Sequence, residues 1–198
     1  MSRPASPSLE RAAHAVIDMQ ALFADHPDWA VPDIGRVRDT VHRLAECRPG
    51  RTYWTRFMPA PSAEKAEGSW RRYYTHWPRA TLEGGGRGYI GLLPEHRTLA
   101  GKAAVFDKPG FSAFSNPDFA VALKAGGIDT LILSGVETDV CVWATALGAI
   151  DAGLFVVLVR DAMTSGSLEA HAAVLNVIAP RYDQQVFVMD AKELEAVW

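Results

Sequence analysis

The chain has 198 residues, a length that suits one domain with a sizeable hydrophobic core. Hydrophobic residues make up 48% of it and charged residues 22%, and a formal net charge of -3 gives no reason to expect nucleic acid or an anionic membrane surface as a partner. Its two cysteines, Cys47 and Cys141, cannot supply a disulfide framework or a cysteine-rich zinc site, so we expect a reducing compartment.

The chain begins with residues 1–11, which we expect to form a flexible tail before a single domain of residues 12–198. The tail has no apolar run of the kind found in signal peptides, and no stretch of about 18 apolar residues follows it. We therefore expect a cytoplasmic protein without a membrane partner.

Apolar runs alternate with segments of helical spacing along the rest of the chain. The runs predict buried β-strands, at residues 13–19, 51–56, 103–107, 129–134, 154–159 and 185–189. The spaced apolar residues predict helices, at residues 33–47, 66–75, 117–124, 143–150, 167–178 and 191–197. This alternation is typical of α/β proteins, so we predict a Rossmann-like, three-layer α/β/α domain with a mainly parallel sheet of six strands.

The region from residue 51 to 80 concentrates aromatic and basic side chains, including three of the six tryptophans. Interleaved aromatic and cationic residues bind single-stranded nucleic acid in some proteins, but the negative net charge disfavours that interpretation. Aromatic residues and arginine are also enriched at interfaces. We therefore expect residues 57–97 to form a lid over a site or a subunit interface.

Three chemically versatile residues, Asp18, Lys108 and Cys141, each lie at or just beyond the carboxyl end of a predicted strand. Open α/β sheets bind ligands at that edge, so the three side chains converge there if their strands are neighbours. A thiolate attacks a carbonyl carbon, an ammonium group stabilises the thiolate, and a carboxylate carries the proton to the departing amine. Thr138 is the predicted N-cap of the following helix, which would place Cys141 where the helix dipole favours the thiolate. Taken singly, each residue also has an ordinary structural explanation.

Three segments, taken in order, resemble one family of enzymes. They are residues 16–20 with Phe23, residues 107–108 with 111–114, and residues 135–142. Together they resemble the isochorismatase-like cysteine hydrolases, the superfamily of nicotinamidases and N-carbamoylsarcosine amidohydrolases. The resemblance extends over roughly residues 13–190. It implies a catalytic triad of Asp18, Lys108 and Cys141, a cis peptide bond between Val136 and Glu137, and an oxyanion hole formed by the N–H groups of Glu137 and Cys141.

The activity that this resemblance implies is hydrolysis of a C–N bond in a small amide, ureido or carbamoyl compound, through a thioester at Cys141. Isochorismatases proper cleave a vinyl ether and need the acid but not the cysteine, so an isochorismatase-type ether hydrolase is the first alternative. A catalytically silent family member that binds a ligand or senses thiol oxidation is the second.

Metal-binding nicotinamidases carry an Asp-x-His pair after the second strand, where this chain has Thr55-Arg56-Phe57-Met58. The six histidines show no ligand spacing, so we expect no metal and no cofactor, and we disfavour nicotinamide as the substrate. The guanidinium of Arg56 is a candidate to bind a substrate carboxylate or carbonyl. An equal alternative is that Arg56 is an ordinary surface residue. The candidate substrate-binding residues are Gln20, Phe23, Trp54, Arg56, Trp70, Tyr74, Trp77, Phe111 and Phe114. We expect a small-molecule substrate and a homo-oligomer, a dimer or tetramer, as is usual for the family.

Overall fold

This computed structural model describes residues 7–101 and 105–198, which form six β-strands and eight α-helices. The strands are β1 (Ala12–Ile17), β2 (Thr52–Phe57), β3 (Val105–Lys108), β4 (Thr130–Gly135), β5 (Phe155–Met163) and β6 (Val186–Met189). The helices are α1 (Ala21–Ala24), α2 (Ile34–Cys47), α3 (Ser69–His76), α4 (Pro94–Arg97), α5 (Pro117–Ala125), α6 (Trp143–Asp151), α7 (Leu168–Ala173) and α8 (Ala191–Glu195). None of the helices in the described part of the chain is both long enough and apolar enough to cross a bilayer.

The strands form one parallel sheet in the order β3-β2-β1-β4-β5-β6. Every residue of β1 and β4 is buried, because helices cover both faces of the sheet. On one face α2 packs through Val37, Val41 and Leu44, and on the other α5 and α6 pack through Phe119 and Ala146. The predicted α/β/α fold with a six-stranded parallel sheet is confirmed for the described residues.

The predicted elements differ from the structure in a few places. β5 continues past residue 159 to Met163, because the exposed Arg160 and Asp161 interrupt the apolar pattern without ending the strand. The predicted helix 167–178 becomes π-helical after Ala173. Residues 1–6 of the predicted tail and residues 103–104 of the predicted third strand lie outside the described residues.

The predicted N-cap at Thr138 is wrong. Residues Thr138–Val142 form a π-helical turn that leads into α6, and the residue that precedes this turn is Glu137, which makes no side-chain cap hydrogen bond. The Thr138 hydroxyl instead donates to the carbonyl oxygen of Thr164 at 3.1 Å. Its side chain therefore ties the turn to the end of β5 and leaves the start of the helix uncapped.

Candidate active site

The carboxyl ends of four adjacent strands bring the three predicted catalytic residues to one edge of the sheet. Asp18 directly follows β1, Lys108 ends β3, and Cys141 lies in the π-helical turn after β4. Ile17 pairs with Gly135, so β1 and β4 end at the same level. Because the strand order is β3-β2-β1-β4, the acid and the cysteine come from neighbouring strands, whereas the lysine reaches across β2.

A buried ion pair joins the acid and the lysine. Lys108 Nζ lies 2.7 Å from Asp18 Oδ2, and both side chains are fully buried. The Thr55 hydroxyl donates to Asp18 Oδ1 at 2.7 Å, and Lys108 Nζ donates to the carbonyl oxygens of Gly110 at 3.1 Å and Phe111 at 2.8 Å. Each charged group therefore has uncharged hydrogen-bond partners in addition to the opposite charge. A buried ion pair needs such hydrogen bonds to offset the loss of hydration.

The backbone turns sharply at Asp18, whose φ of 52° lies in the left-handed region that residues other than glycine rarely adopt. Gln20 holds the chain just after this turn. Its amide nitrogen donates to the carbonyl oxygens of Phe57 at 3.2 Å and Ile90 at 2.8 Å, and its amide oxygen accepts the Phe57 N–H at 2.7 Å. The prediction that Gln20 binds substrate is wrong, because this fully buried amide is occupied by the backbone of two loops.

The Cys141 thiol is buried, 3% exposed, and lies close enough to Asp18 and Lys108 for both charges to affect its pKa. Burial raises the pKa of this thiol, and the Asp18 carboxylate raises it further, while the Lys108 ammonium lowers it. The net shift is upward, which favours the thiol over the thiolate. This direction runs against the expectation that the helix start favours a thiolate, because burial has the largest effect on the pKa of the thiol. For Lys108, burial lowers the pKa, but the carboxylate and the sulfur raise it more.

Hydrogen bonds fix the backbone on both sides of Cys141. Its carbonyl oxygen accepts the Thr145 hydroxyl at 2.7 Å, and the same hydroxyl accepts the N–H of Ala113 at 2.9 Å, which ties the turn to the loop after β3. The Val136–Glu137 peptide bond is cis. Within residues 7–101 and 105–198, the N–H of Glu137 has no hydrogen-bond acceptor.

A cavity of about 370 Å³ opens beside Cys141. Its lining is dominated by six aromatic side chains, those of Phe23, Trp29, Phe57, Tyr73, Trp77 and Phe111. Two segments outside the sheet, residues 28–32 and the end of α3, supply much of the wall. Lys108 Nζ lies 5.1 Å from the centroid of the Phe57 ring, so one aromatic of the cavity contacts the ion pair directly.

Of the predicted substrate-binding residues, Phe23, Trp77 and Phe111 line this cavity. Arg56 does not line the cavity, and its guanidinium pairs with the Asp107 carboxylate through two hydrogen bonds of 2.7 and 2.8 Å. The side chain of Trp54 lies in the core, 1% exposed, and so is also excluded from the site.

The remaining predicted substrate-binding residues do not line this cavity, although the Trp70 ring packs on two of its rings, those of Phe111 at 4.8 Å and Phe57 at 6.1 Å. Trp70 and Tyr74 stack on each other, with ring centroids 5.8 Å apart, beside a separate groove between α3 and the loop after β3. Phe114 packs on the Phe119 ring at 5.3 Å and covers Gly148, where an added Cβ would come within 2.8 Å of the ring. These three aromatic side chains stabilise the protein around the site and do not line the cavity.

Sequence reasoning missed Thr55, Trp29 and Tyr73. The segment around Thr55 lacks the metal ligands of nicotinamidases, and nothing in its sequence indicates that the Thr55 hydroxyl contacts Asp18. Trp29 lies in an irregular segment without periodicity, so no sequence signal placed it at the site. Among the described residues, no group of three or more His, Cys, Asp or Glu side chains is arranged to hold a metal ion.

Several known proteins are similar to this chain. The family model of the isochorismatase domain matches residues 12–193. The probable hydrolase YcaC of Escherichia coli K12 is 39% identical over 84 residues, which are 41% of this chain and 40% of that protein. The solved structure of the Escherichia coli YcaC gene product, described as an octameric hydrolase of unknown specificity, matches with a TM-score of 0.69 at 23% identity, covering 99% of this chain and 83% of that one.

Two further relatives match over most of the chain. The ureidoacrylate amidohydrolase RutB of Azorhizobium caulinodans is 26% identical over 208 residues, covering 88% of this chain and 86% of that protein. The solved structure of an isochorismatase family protein from Desulfovibrio vulgaris matches with a TM-score of 0.74 at 25% identity, covering 94% of this chain and 97% of that one. By contrast, the chain spans only about two fifths of the length of the first curated relatives that it matches.

Proposed function

The chain belongs to the isochorismatase family, and from that premise we propose that it hydrolyses a C–N bond of a small amide, ureido or carbamoyl compound through a thioester at Cys141. The observation that carries the proposal is the buried pair of Asp18 and Lys108, 2.7 Å apart, at the same edge of the sheet as Cys141, which lines an aromatic cavity. The likeness to an amidohydrolase over most of the chain supports the choice of a C–N bond.

In the proposed first step, Asp18 is the general base. Because burial favours the thiol, the S–H proton moves to the carboxylate as the sulfur attacks the carbonyl carbon, and no thiolate has to accumulate beforehand. Lys108 and Thr55 hold the carboxylate in place. The N–H groups of Glu137 and Cys141 donate to the carbonyl oxygen as it gains negative charge.

The second half of the reaction returns each group to its starting state. The proton on Asp18 passes to the leaving nitrogen, the C–N bond breaks, and the amine departs from the thioester. A water molecule then gives a proton to Asp18 and attacks the thioester carbon. The C–S bond breaks, the sulfur of Cys141 recovers the proton, and the acid product leaves.

A hydrolysis screen tests this proposal. Carbamoyl, ureido and primary amide compounds are assayed for release of ammonia or amine, and isochorismate is assayed for release of pyruvate. We expect hydrolysis of at least one C–N compound, and we expect Cys141→Ala to lower its kcat/KM by a factor on the order of 10⁴ or more, because the nucleophile is lost. The matched control is Cys47→Ala, which removes an exposed thiol and leaves the rate unchanged.

Two outcomes of the screen contradict the proposal. Full turnover by Cys141→Ala would show that the thiol is not the nucleophile. Release of pyruvate from isochorismate, without hydrolysis of any C–N compound, would identify an ether hydrolase instead.

A further inference from the structure

The charged side chains that line the aromatic cavity are both acidic. In the described part of the chain they are Glu137 and Asp28, and no lysine or arginine joins them. Arg79 neutralises Asp28 by hydrogen-bonding both of its carboxylate oxygens. Glu137 forms no salt bridge with any described residue. The cavity therefore contains one carboxyl group without a counter-charge.

The Glu137 carboxyl group is anchored through one oxygen only. Oε2 accepts the Gly166 N–H at 2.8 Å and lies 3.4 Å from the Ser165 hydroxyl, which donates more closely to Asp139, and Oε1 accepts no hydrogen bond from any described residue. Burial raises the pKa of Glu137 and the Asp139 carboxylate adds to that effect, while the Gly166 N–H lowers it. A positively charged ligand beside this group would supply the missing counter-charge and a hydrogen-bond donor together.

The aromatic lining favours the same kind of ligand. The Trp29 ring lies 6.2 Å from that of Phe23 and 5.9 Å from those of both Phe57 and Tyr73, between centroids. These rings form a continuous aromatic wall beside the acidic group. The faces of aromatic rings attract cations, most strongly where water is excluded.

We propose that the cavity selects a cationic substrate, an amide or ureide whose ammonium, amidinium or guanidinium group lies between the aromatic wall and the Glu137 carboxylate. That the substrate is an amide or ureide rests on the proposed function, whereas the preference for a cation follows from the cavity alone. An anionic substrate would bring its carboxylate beside an unpaired acid and would meet no cation on the cavity wall. Such a juxtaposition of like charges weakens binding.

Three ligands of the same shape but different charge test this proposal: phenylacetamidine, phenylacetamide and phenylacetate. Their binding to the full-length Cys141→Ala protein, which cannot turn over the amide by the proposed route, is measured by isothermal titration calorimetry. We expect the amidine to bind at least tenfold more tightly than the amide, and the carboxylate at least tenfold more weakly. When Glu137→Gln is combined with Cys141→Ala, the affinity for the amidine should fall at least tenfold and the affinity for the amide should change less than threefold.

Two further variants test whether amidine binding depends on the position of the Glu137 carboxylate or only on the total charge of the protein. Glu169→Gln removes the same charge at an exposed residue of α7 that does not line the cavity, and it should leave the order of affinities unchanged. Gly166→Ala keeps the charge but displaces the carboxyl group, because the added Cβ would lie 2.8 Å from Glu137 Oε2. It should weaken amidine binding more than amide binding.

Undetectable binding of phenylacetamidine, equal affinity for the three ligands, or an amidine preference that survives Glu137→Gln would overturn the proposal. The readout also separates this proposal from the proposed function. A protein that prefers the amidine but hydrolyses no C–N compound refutes only the hydrolysis. A protein that hydrolyses amides but binds phenylacetate best refutes only the charge selection.

Discussion

The triad edge, formed by Asp18, Lys108 and Cys141, and the aromatic cavity beside it are built in different ways. The triad edge is held by the ends of parallel strands and by polar contacts of about 3 Å or less, such as the Asp18–Lys108 pair at 2.7 Å. Much of the cavity wall comes from segments between strands and is held by ring contacts, such as Trp29 with Tyr73 at 5.9 Å. The sheet therefore places the reacting groups, and the connecting segments shape the space for the substrate. Variants in the two regions should fail in different ways.

Lys108→Met tests the triad edge most severely. It leaves the Asp18 carboxylate buried without a counter-charge, so we expect the free energy of unfolding to fall by roughly 3–5 kcal/mol. We also expect kcat/KM to fall by roughly 10²–10⁴-fold, because the base is no longer held in place. Urea denaturation and steady-state kinetics measure the two effects.

The control for this variant is Lys65→Met. It breaks the pair of Lys65 with Glu83, whose side chains are 60% and 50% exposed, and should change stability by less than about 1 kcal/mol. An equally small change for Lys108→Met would show that the ion pair of the triad edge is not important for stability.

Thr55→Val tests whether the triad edge needs the hydrogen bond from the Thr55 hydroxyl to Asp18. The substitution keeps the shape but removes the hydroxyl that donates to Asp18 Oδ1 at 2.7 Å. We expect kcat to fall by roughly 10- to 100-fold while KM changes little, since losing one hydrogen bond to a charged group costs about 1.5–3 kcal/mol and Thr55 acts through Asp18. Thr55→Ser, which keeps the hydroxyl, should restore kcat. An increase in KM alone would instead make Thr55 a substrate-binding residue.

Trp29→Ala tests the cavity and should have the smallest effect on the chemistry. We expect KM to rise by roughly three- to tenfold and kcat to stay within about threefold, because Trp29 binds substrate and transition state alike. Trp143→Ala is the matched control, since Trp143 packs on Tyr182 at 5.5 Å and does not line the cavity. A loss of kcat in Trp29→Ala as large as in Thr55→Val would remove the distinction between the two regions.

This difference also explains what was predictable. Strands buried on both faces appear in the sequence as apolar runs, so the positions of Asp18 and Lys108 at strand ends were predictable before the structure. The order of the strands in the sheet was not predictable. That order places β2 between β3 and β1, so that Lys108 reaches across β2 to Asp18. Burial on both faces also hides which way a side chain points, so the sequence did not distinguish Thr55, which contacts Asp18, from Arg56, which pairs with Asp107.

The cavity was harder to predict because residues distant in sequence form it. Trp29 and Tyr73 lie in segments whose apolar residues show no long periodicity, and only their packing identifies them as neighbours. The aromatic stretch 51–80 was expected to form a lid or a subunit interface, and among its tryptophans Trp77 lines the cavity. The homo-oligomer and the cytoplasmic location stay predictions, although the Escherichia coli relative is described as octameric.

The burial of Cys141 also bears on how the protein withstands oxidants. Peroxide reacts with thiolates that solvent can reach, and the first product is a sulfenic acid. Cys141 is 3% exposed and burial raises its pKa, so its sulfur offers little thiolate to an oxidant between turnovers. Cys47, on the surface, is the more accessible target. The burial that raises the pKa of Cys141 therefore also limits its exposure to oxidants, and oxidation should affect Cys47 first.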